Sequence, residues 1–232
     1  MVYTDKYSTV NISRSVLTAL IAELVITMKE QPAPFFDNTD LLDFPGARSR
    51  EINVKDPSHL DNKKNRAKLF LRGKVAFLFD RYCENQDLTS LLLCSPPSNQ
   101  EVVSLPETVF NWIATTHGDS PDKRIQIDNT SLFVVLTKFD ATAFSEKRGD
   151  EQNFANRLQT RLEASLINFY GNDQNDWLHH WQGQGNVFKN TFCVRNPDFK
   201  QGQIFEYDAV DETKEIGIKQ EKEARIALLR KS

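Results

Sequence analysis

Short apolar runs that predict strands alternate along this chain with longer segments whose apolar residues recur at helical spacing. The clearest run covers residues 131–136, is rich in Val, Leu and Phe, and is flanked by polar residues. Further strands are predicted at residues 40–44, 89–94 and 191–194. Because strands that alternate with helices pair in parallel, the pattern predicts an α/β fold with three layers, a mostly parallel sheet with helices on both faces.

The predicted helices differ in how sharply the sequence marks their ends. The first begins after Ser13, which is a suitable N-cap, and its apolar spacing continues to Met28. Pro32 and Pro34 prevent it from continuing further. The other helices are predicted at residues 69–82, 105–116, 154–169, 177–181 and in the charged tail from residue 211.

Charge and hydropathy exclude several classes of function. The net charge is -3, whereas a generic nucleic-acid binder is basic. No apolar run approaches the ~20 residues that a membrane-spanning helix needs, so no transmembrane segment is predicted. The three cysteines form no C-x-x-C pair, which argues against a metal or disulfide framework. We therefore expect a cytoplasmic protein.

A carboxylate and a glycine mark the end of the predicted strand 40–44, in the motif Asp43-Phe44-Pro45-Gly46. An aspartate at a strand end can hold Mg²⁺ through water. The amide of Gly46 can donate to a terminal phosphate, because glycine has no side chain to block the approach. A plain strand-to-loop turn uses the same residue types, so this motif alone leaves both interpretations open.

A second motif, Thr137-Lys138-Phe139-Asp140, directly follows the run 131–136. Guanine presents N1–H and an exocyclic amino group side by side, and the carboxylate of Asp140 can accept both hydrogen bonds. Lys138 can lay its methylene stem along the purine face. Adenine has an acceptor at the corresponding ring position, so the same carboxylate rejects it.

In this order the two motifs resemble the D-x-x-G and [NT]-K-x-D pair of GTP-binding domains. Their residues at the variable positions resemble the forms found in dynamin-like GTPases. Residues 41–50, together with 71–76, more specifically resemble the bacterial SrfC-type virulence factors, long proteins with an N-terminal GTPase-like domain. The resemblance extends over about residues 12–199. It implies a P-loop GTPase-like fold for residues 1–200, followed by a charged helical extension over residues 201–232.

The resemblance also implies ligands and roles for particular residues. Guanine is bound by Thr137, Lys138 and Asp140, phosphate by Gly46, and a metal ion by Asp43. The implied ligands of the complete domain are GTP or GDP with Mg²⁺, and protein partners are an alternative to the nucleotide. The resemblance also implies a bacterial protein, and export as an effector stays open.

The phosphate-binding sequence G-x-x-x-x-G-K-[ST] is absent. The pair Gly73-Lys74 is followed by Val75 and lies after the Asp43 motif, where a P-loop comes before it. We therefore expect an incomplete domain that does not hydrolyse GTP on its own. Truncation of a larger protein, with the P-loop upstream, is the favoured explanation. The alternative explanation is a degenerate domain used as a scaffold, and the alternative function is a nucleotide-free α/β module for protein interaction.

Two further groups are interpreted as structural. His179 and His180 are adjacent, so they point to different sides of the backbone, and no acidic or cysteine partner has metal-ligand spacing. The basic residues between Lys63 and Lys74 fit a solvated helix face better than a phosphate or lipid site.

Overall fold

The computed structural model describes residues 11–44, 57–97, 105–140, 151–171, 176–183, 185–196, 198, 200, 204–223 and 226–227. The chain divides between Arg81 and Tyr82 into two compact units. None of the helices within these ranges is both long and apolar enough to cross a membrane.

The first unit contains two α-helices and two short 3₁₀ turns. Helix α1 spans Arg14–Leu20, and the Ser13 hydroxyl accepts from the Val16 amide at its start, as the sequence predicts. The 3₁₀ turns span Pro34–Asp37 and Pro57–Asp61. Helix α2 spans Lys63–Glu84 and crosses the boundary between the units.

Helix α1 ends eight residues earlier than the apolar spacing predicts, at Leu20 instead of Met28. Its C-terminal carbonyls are held by one ammonium group: Lys74 of α2 donates to Thr18 and Ala19 at 2.9 and 3.0 Å, and also to Ile21. This cation complements the negative end of the helix dipole. No residue of α1 is buried, so tertiary packing does not extend the helix into the β-branched residues that follow.

The predicted strand 40–44 is wrong. Residues 41–44 have no regular secondary structure, and Leu41 is 74% exposed. Only Phe44 packs, with its ring edge-on to Phe79 at 5.2 Å between centroids. An apolar run this short forms a strand only where a sheet partner and a core accept it, and here neither is present among the described residues.

The second unit contains a small parallel sheet in the order β1-β2-β3. Strand β1 spans Leu91–Ser95, β2 spans Leu132–Leu136 and β3 spans Thr191–Cys193. All three lie where the sequence predicts strands, to within two residues. The register pairs Ser95 with Leu136 and Leu136 with Cys193, so the three carboxyl ends meet at one edge.

The two faces of this sheet differ in burial. On one face Leu93, Leu132, Val134 and Leu136 are buried. The opposite face carries Leu92, Cys94, Phe133, Val135 and Phe192, of which Leu92 is 55% and Phe192 47% exposed. Helices on both faces were expected, and this second face departs from that expectation. A continuous apolar run places apolar side chains on both faces of a strand, but it does not show whether helices cover both faces.

The core of the second unit comes from helices as well as strands. Helix α3 spans Leu105–Thr116, the predicted bounds, and buries Trp112 and Ile113; the short helix α4 spans Pro121–Arg124. Helix α5 spans Glu151–Leu162 and passes through a π-helical segment, Glu163–Ile167, into α6, Asn168–Tyr170. Gly171 closes this last helix, as predicted.

The structure departs from two predicted helices. Residues 177–181 form turns, and the rings of Trp177 and Trp181 both pack edge-on against Phe188 in an aromatic cluster. In the predicted helical extension an antiparallel hairpin, β4 Phe205–Tyr207 and β5 Glu215–Ile218, and a 3₁₀ turn, Gln220–Lys222, come before the helical residues 223 and 226–227. Arg195 fixes the hairpin by pairing with Glu215 and lying over the Phe205 ring.

Candidate functional site

The motif Thr137–Asp140 lies at the carboxyl edge of the central strand β2, where ligands of parallel sheets bind. The Thr137 amide donates to the Ser95 carbonyl at the end of β1, at 2.9 Å. The Phe139 amide donates to the Val194 carbonyl just beyond β3, at 3.0 Å. The motif is therefore fastened to both neighbouring strands.

Within this motif the two charged residues differ in burial, since Asp140 is buried and Lys138 is exposed. Asp140 is 7% exposed, and its carboxylate makes no hydrogen bond or ion pair with any described residue. Lys138 is exposed and has a φ of 54°, a left-handed conformation that costs a non-glycine residue about 1–2 kcal/mol. Such strain concentrates at ligand sites. The side chain of Lys138 makes no hydrogen bond or ion pair with another described residue.

A buried arginine holds the end of β1. Arg161 of α5 is 8% exposed, and it donates to the Pro96 carbonyl at 2.5 Å, the Ser165 hydroxyl at 2.6 Å and the Ser95 carbonyl at 2.8 Å. These bonds fix the edge against the helix. The Ser95 hydroxyl beside them is buried and has no hydrogen-bond partner within the described part of the chain.

Cys193 ends β3 at the same edge. Its side chain reaches the surface, yet the surrounding protein desolvates the sulfur and raises the pKa of the thiol to about 11, against a smaller lowering by Arg161. A thiol with this pKa stays protonated at neutral pH. The raised pKa therefore disfavours Cys193 as a nucleophile.

The other half of the predicted nucleotide site falls in the first unit. Asp43 is exposed and lies in irregular backbone, not at the end of a strand. Gly46 lies outside the described residues. The roles of Asp43 in metal binding and of Gly46 in phosphate binding, and the sharing of one pocket by the two motifs, stay predictions.

The paired histidines have structural contacts, as the sequence indicates. His179 pairs with Asp176 at 2.6 Å, and Nδ1 of His180 accepts from the Gly185 amide at 3.0 Å. Across the described ranges, no group of three or more His, Cys, Asp or Glu side chains could hold a metal ion.

Sequence reasoning missed Arg161 and Ser95. A signal for Arg161 was present, since it lies seven residues after Phe154 on the spacing that places apolar residues of α5 in the core. A charged residue at such a position requires buried acceptors, and the carbonyls at a strand end can supply them. Ser95 had no comparable signal, because a serine before two prolines is ordinary loop sequence.

The described fold is that of a mixed α/β protein with a small, three-stranded parallel sheet and a candidate site at its carboxyl edge. A family model described as "Putative bacterial virulence factor" matches residues 2–232, so the chain belongs to that family. No curated protein and no solved structure matches the chain.

Proposed function

We propose that the carboxyl edge of the sheet recognises a guanine base, as the base-binding part of a GTP-binding domain would. The observation that carries the proposal is Asp140, which is 7% exposed, lies in the motif that follows β2 and has no partner among the described residues. Thr137 fixes the motif to β1, and Lys138 is exposed beside it.

The chemistry of the acid selects the base. A carboxylate accepts from N1–H and the 2-amino group of guanine together, whereas adenine offers a ring acceptor that it repels. Each charge-assisted hydrogen bond contributes about 1.5–3 kcal/mol, from which the cost of association is subtracted. We therefore expect GMP to bind with a dissociation constant of about 1 mM, equivalent to about -4 kcal/mol.

Phosphates add to this affinity only where amides and Mg²⁺ surround them. Asp43 and Gly46 are proposed to serve the Mg²⁺ ion and the γ-phosphate. Hydrolysis is not proposed for this chain, since the P-loop sequence that stabilises the transferred phosphate is absent.

An NMR titration of the chain with GMP and with AMP, each up to ~10 mM, tests the proposal. GMP is expected to shift the backbone amides of residues 137–140 saturably, and AMP is not. Asp140→Asn should weaken the GMP response, because the amide offers only one acceptor. Asp128→Asn, an exposed acid before the amino end of β2, is the matched control. Equal responses to GMP and AMP would overturn the proposal.

A second candidate function is a nucleotide-free interaction module. The observation that favours it is the sheet face of Leu92 and Phe192, which is exposed although parallel sheets normally have both faces covered. A partner helix is the natural cover for such a face. Under this alternative neither GMP nor GTP shifts the amides of residues 137–140.

A further inference from the structure

A cleft of about 510 Å³ opens at the amino edge of the same sheet, at the other end of β2 from Asp140. Its lining contains Thr130, two residues before β2, and Asn190, the residue before β3, together with Ile125 and with residues 181–182 and 186–189. This cleft is separate from the proposed guanine site.

The walls of the cleft are held in place by a buried arginine. Arg124 donates to the carbonyls of Trp181, His180 and Gly118 at 2.6, 2.9 and 3.0 Å, and its guanidinium lies 5.3 Å from the Trp181 ring centroid. The loop turns sharply through Gly183, whose φ of 90° suits glycine. A cleft fixed in this way keeps its lining groups oriented before any ligand arrives.

Three amide side chains of the lining present their oxygens as acceptors. The Asn190 amide nitrogen donates to the carbonyls of Thr130 and Leu132, both at 3.2 Å, and that of Gln182 to the carbonyls of Arg124 and Ile127, at 3.2 and 2.8 Å. Reversing either amide would set oxygen against oxygen, so both orientations are fixed.

The third amide, Asn186, donates from its side-chain nitrogen to the backbone carbonyl of Gln182 at 2.6 Å. The side-chain oxygens of all three amides accept no hydrogen bond from another described residue. A ligand that fits them must supply several hydrogen-bond donors.

The rest of the lining restricts the ligand further. Lys189 is exposed at the cleft and has no ion pair within the described residues, which disfavours a cationic ligand and favours an acidic group. Trp181 and Phe188 form the apolar base, but both are buried and present little ring surface. Flat aromatic ligands therefore gain little there, whereas a hydroxyl-rich ring uses the acceptors.

We propose that the cleft binds an anionic sugar, with ring hydroxyls donating to the amide oxygens of Gln182, Asn186 and Asn190 and the acidic group paired with Lys189. A carboxylate sugar and a sugar phosphate share this chemistry.

The test follows the NMR signal of the Trp181 indole N–H. This group lies in the cleft and donates to the Thr130 hydroxyl at 3.1 Å. The probes are glucuronate, glucose 6-phosphate, glucose and inorganic phosphate. One of the two anionic sugars is expected to shift the signal saturably, with a dissociation constant of about 1 mM. The tighter of the two identifies a carboxylate or a phosphate as the acidic group. Glucose should bind at least about tenfold more weakly.

Variants at two exposed residues of the lining test the proposed ligand contacts without removing a buried side chain. Lys189→Met should weaken binding about tenfold and Asn186→Ala about threefold, while Lys214→Met, another exposed lysine, leaves it unchanged. The proposal is overturned if neither anionic sugar shifts the indole signal, or if glucose or phosphate alone binds as tightly. It is also overturned if Lys189→Met binds like the wild type. The guanine proposal is read from the amides of residues 137–140 and this one from the Trp181 indole, so the two proposals fail separately.

Discussion

Replacing Arg161 by methionine tests how the carboxyl edge is held together. The variant keeps a long apolar stem but leaves the Pro96 carbonyl and the Ser165 hydroxyl without the Arg161 donor. The Ser95 carbonyl loses one of its donors and keeps the Thr137 amide. Each buried group that loses its donor costs about 1–3 kcal/mol, and removal of a buried charge recovers part of that cost. We expect the free energy of unfolding to fall by about 3–5 kcal/mol.

Urea denaturation followed by tryptophan fluorescence measures this loss. For a slope of about 2 kcal/mol per molar, the midpoint moves down by about 1.5–2.5 M. Arg161→Lys should lie between the two proteins, because an ammonium cannot serve three acceptors with the geometry of a guanidinium. Lys123→Met is the control, since its pair with Asp119 is exposed and contributes little to stability. A midpoint for Arg161→Met within 0.5 M (~1 kcal/mol) of the wild type would refute this reasoning.

Three further predictions concern other parts of the chain. Burial and the nearby Arg124 hold the pKa of His117 below its usual 6.5, so the unfolded chain takes up the proton first as the pH falls. The free energy of unfolding should therefore decline below pH 6.5, and urea titrations at several pH values should show a shallower decline in His117→Gln. Lys74→Met should speed hydrogen exchange of the last amides of α1, whereas equal rates would show that the ammonium contributes nothing there. Gly118→Ala should destabilise by more than about 1 kcal/mol in urea, since φ is 102° and the new methyl lies 2.6 Å from Lys123 Cβ; an unchanged midpoint would contradict this.

The sequence predicts the positions of those helices and strands whose apolar residues are buried in a core. Strand β2 and helix α3 lie where their apolar spacing places them, because Val134, Trp112 and Ile113 pack against partners. Residues 40–44 carry a similar apolar run and yet stay irregular, since burial depends on neighbours distant in the sequence. The hairpin β4–β5 was missed because its charged residues suit a helix, and the pair of Arg195 with Glu215 is invisible locally.

For the candidate site, position was more predictable than environment. The location of Asp140 after a parallel strand follows from the pattern, whereas its burial and the support from Arg161 depend on how α5 packs. The amino-edge cleft gives no sequence signal, because its asparagines and glutamine resemble loop residues until their hydrogen bonds are known.

The preference of Asp140→Asn for xanthine over guanine tests the central claim most directly. Xanthine carries an oxygen where guanine carries the 2-amino group, so an asparagine amide can accept from N1–H and donate to that oxygen. The wild type is expected to prefer GMP to XMP, and the variant is expected to prefer XMP. The ratio of the dissociation constants for GMP and XMP should change at least about 100-fold between the two proteins. If the two proteins show the same ratio, Asp140 does not contact the base and the guanine proposal is wrong.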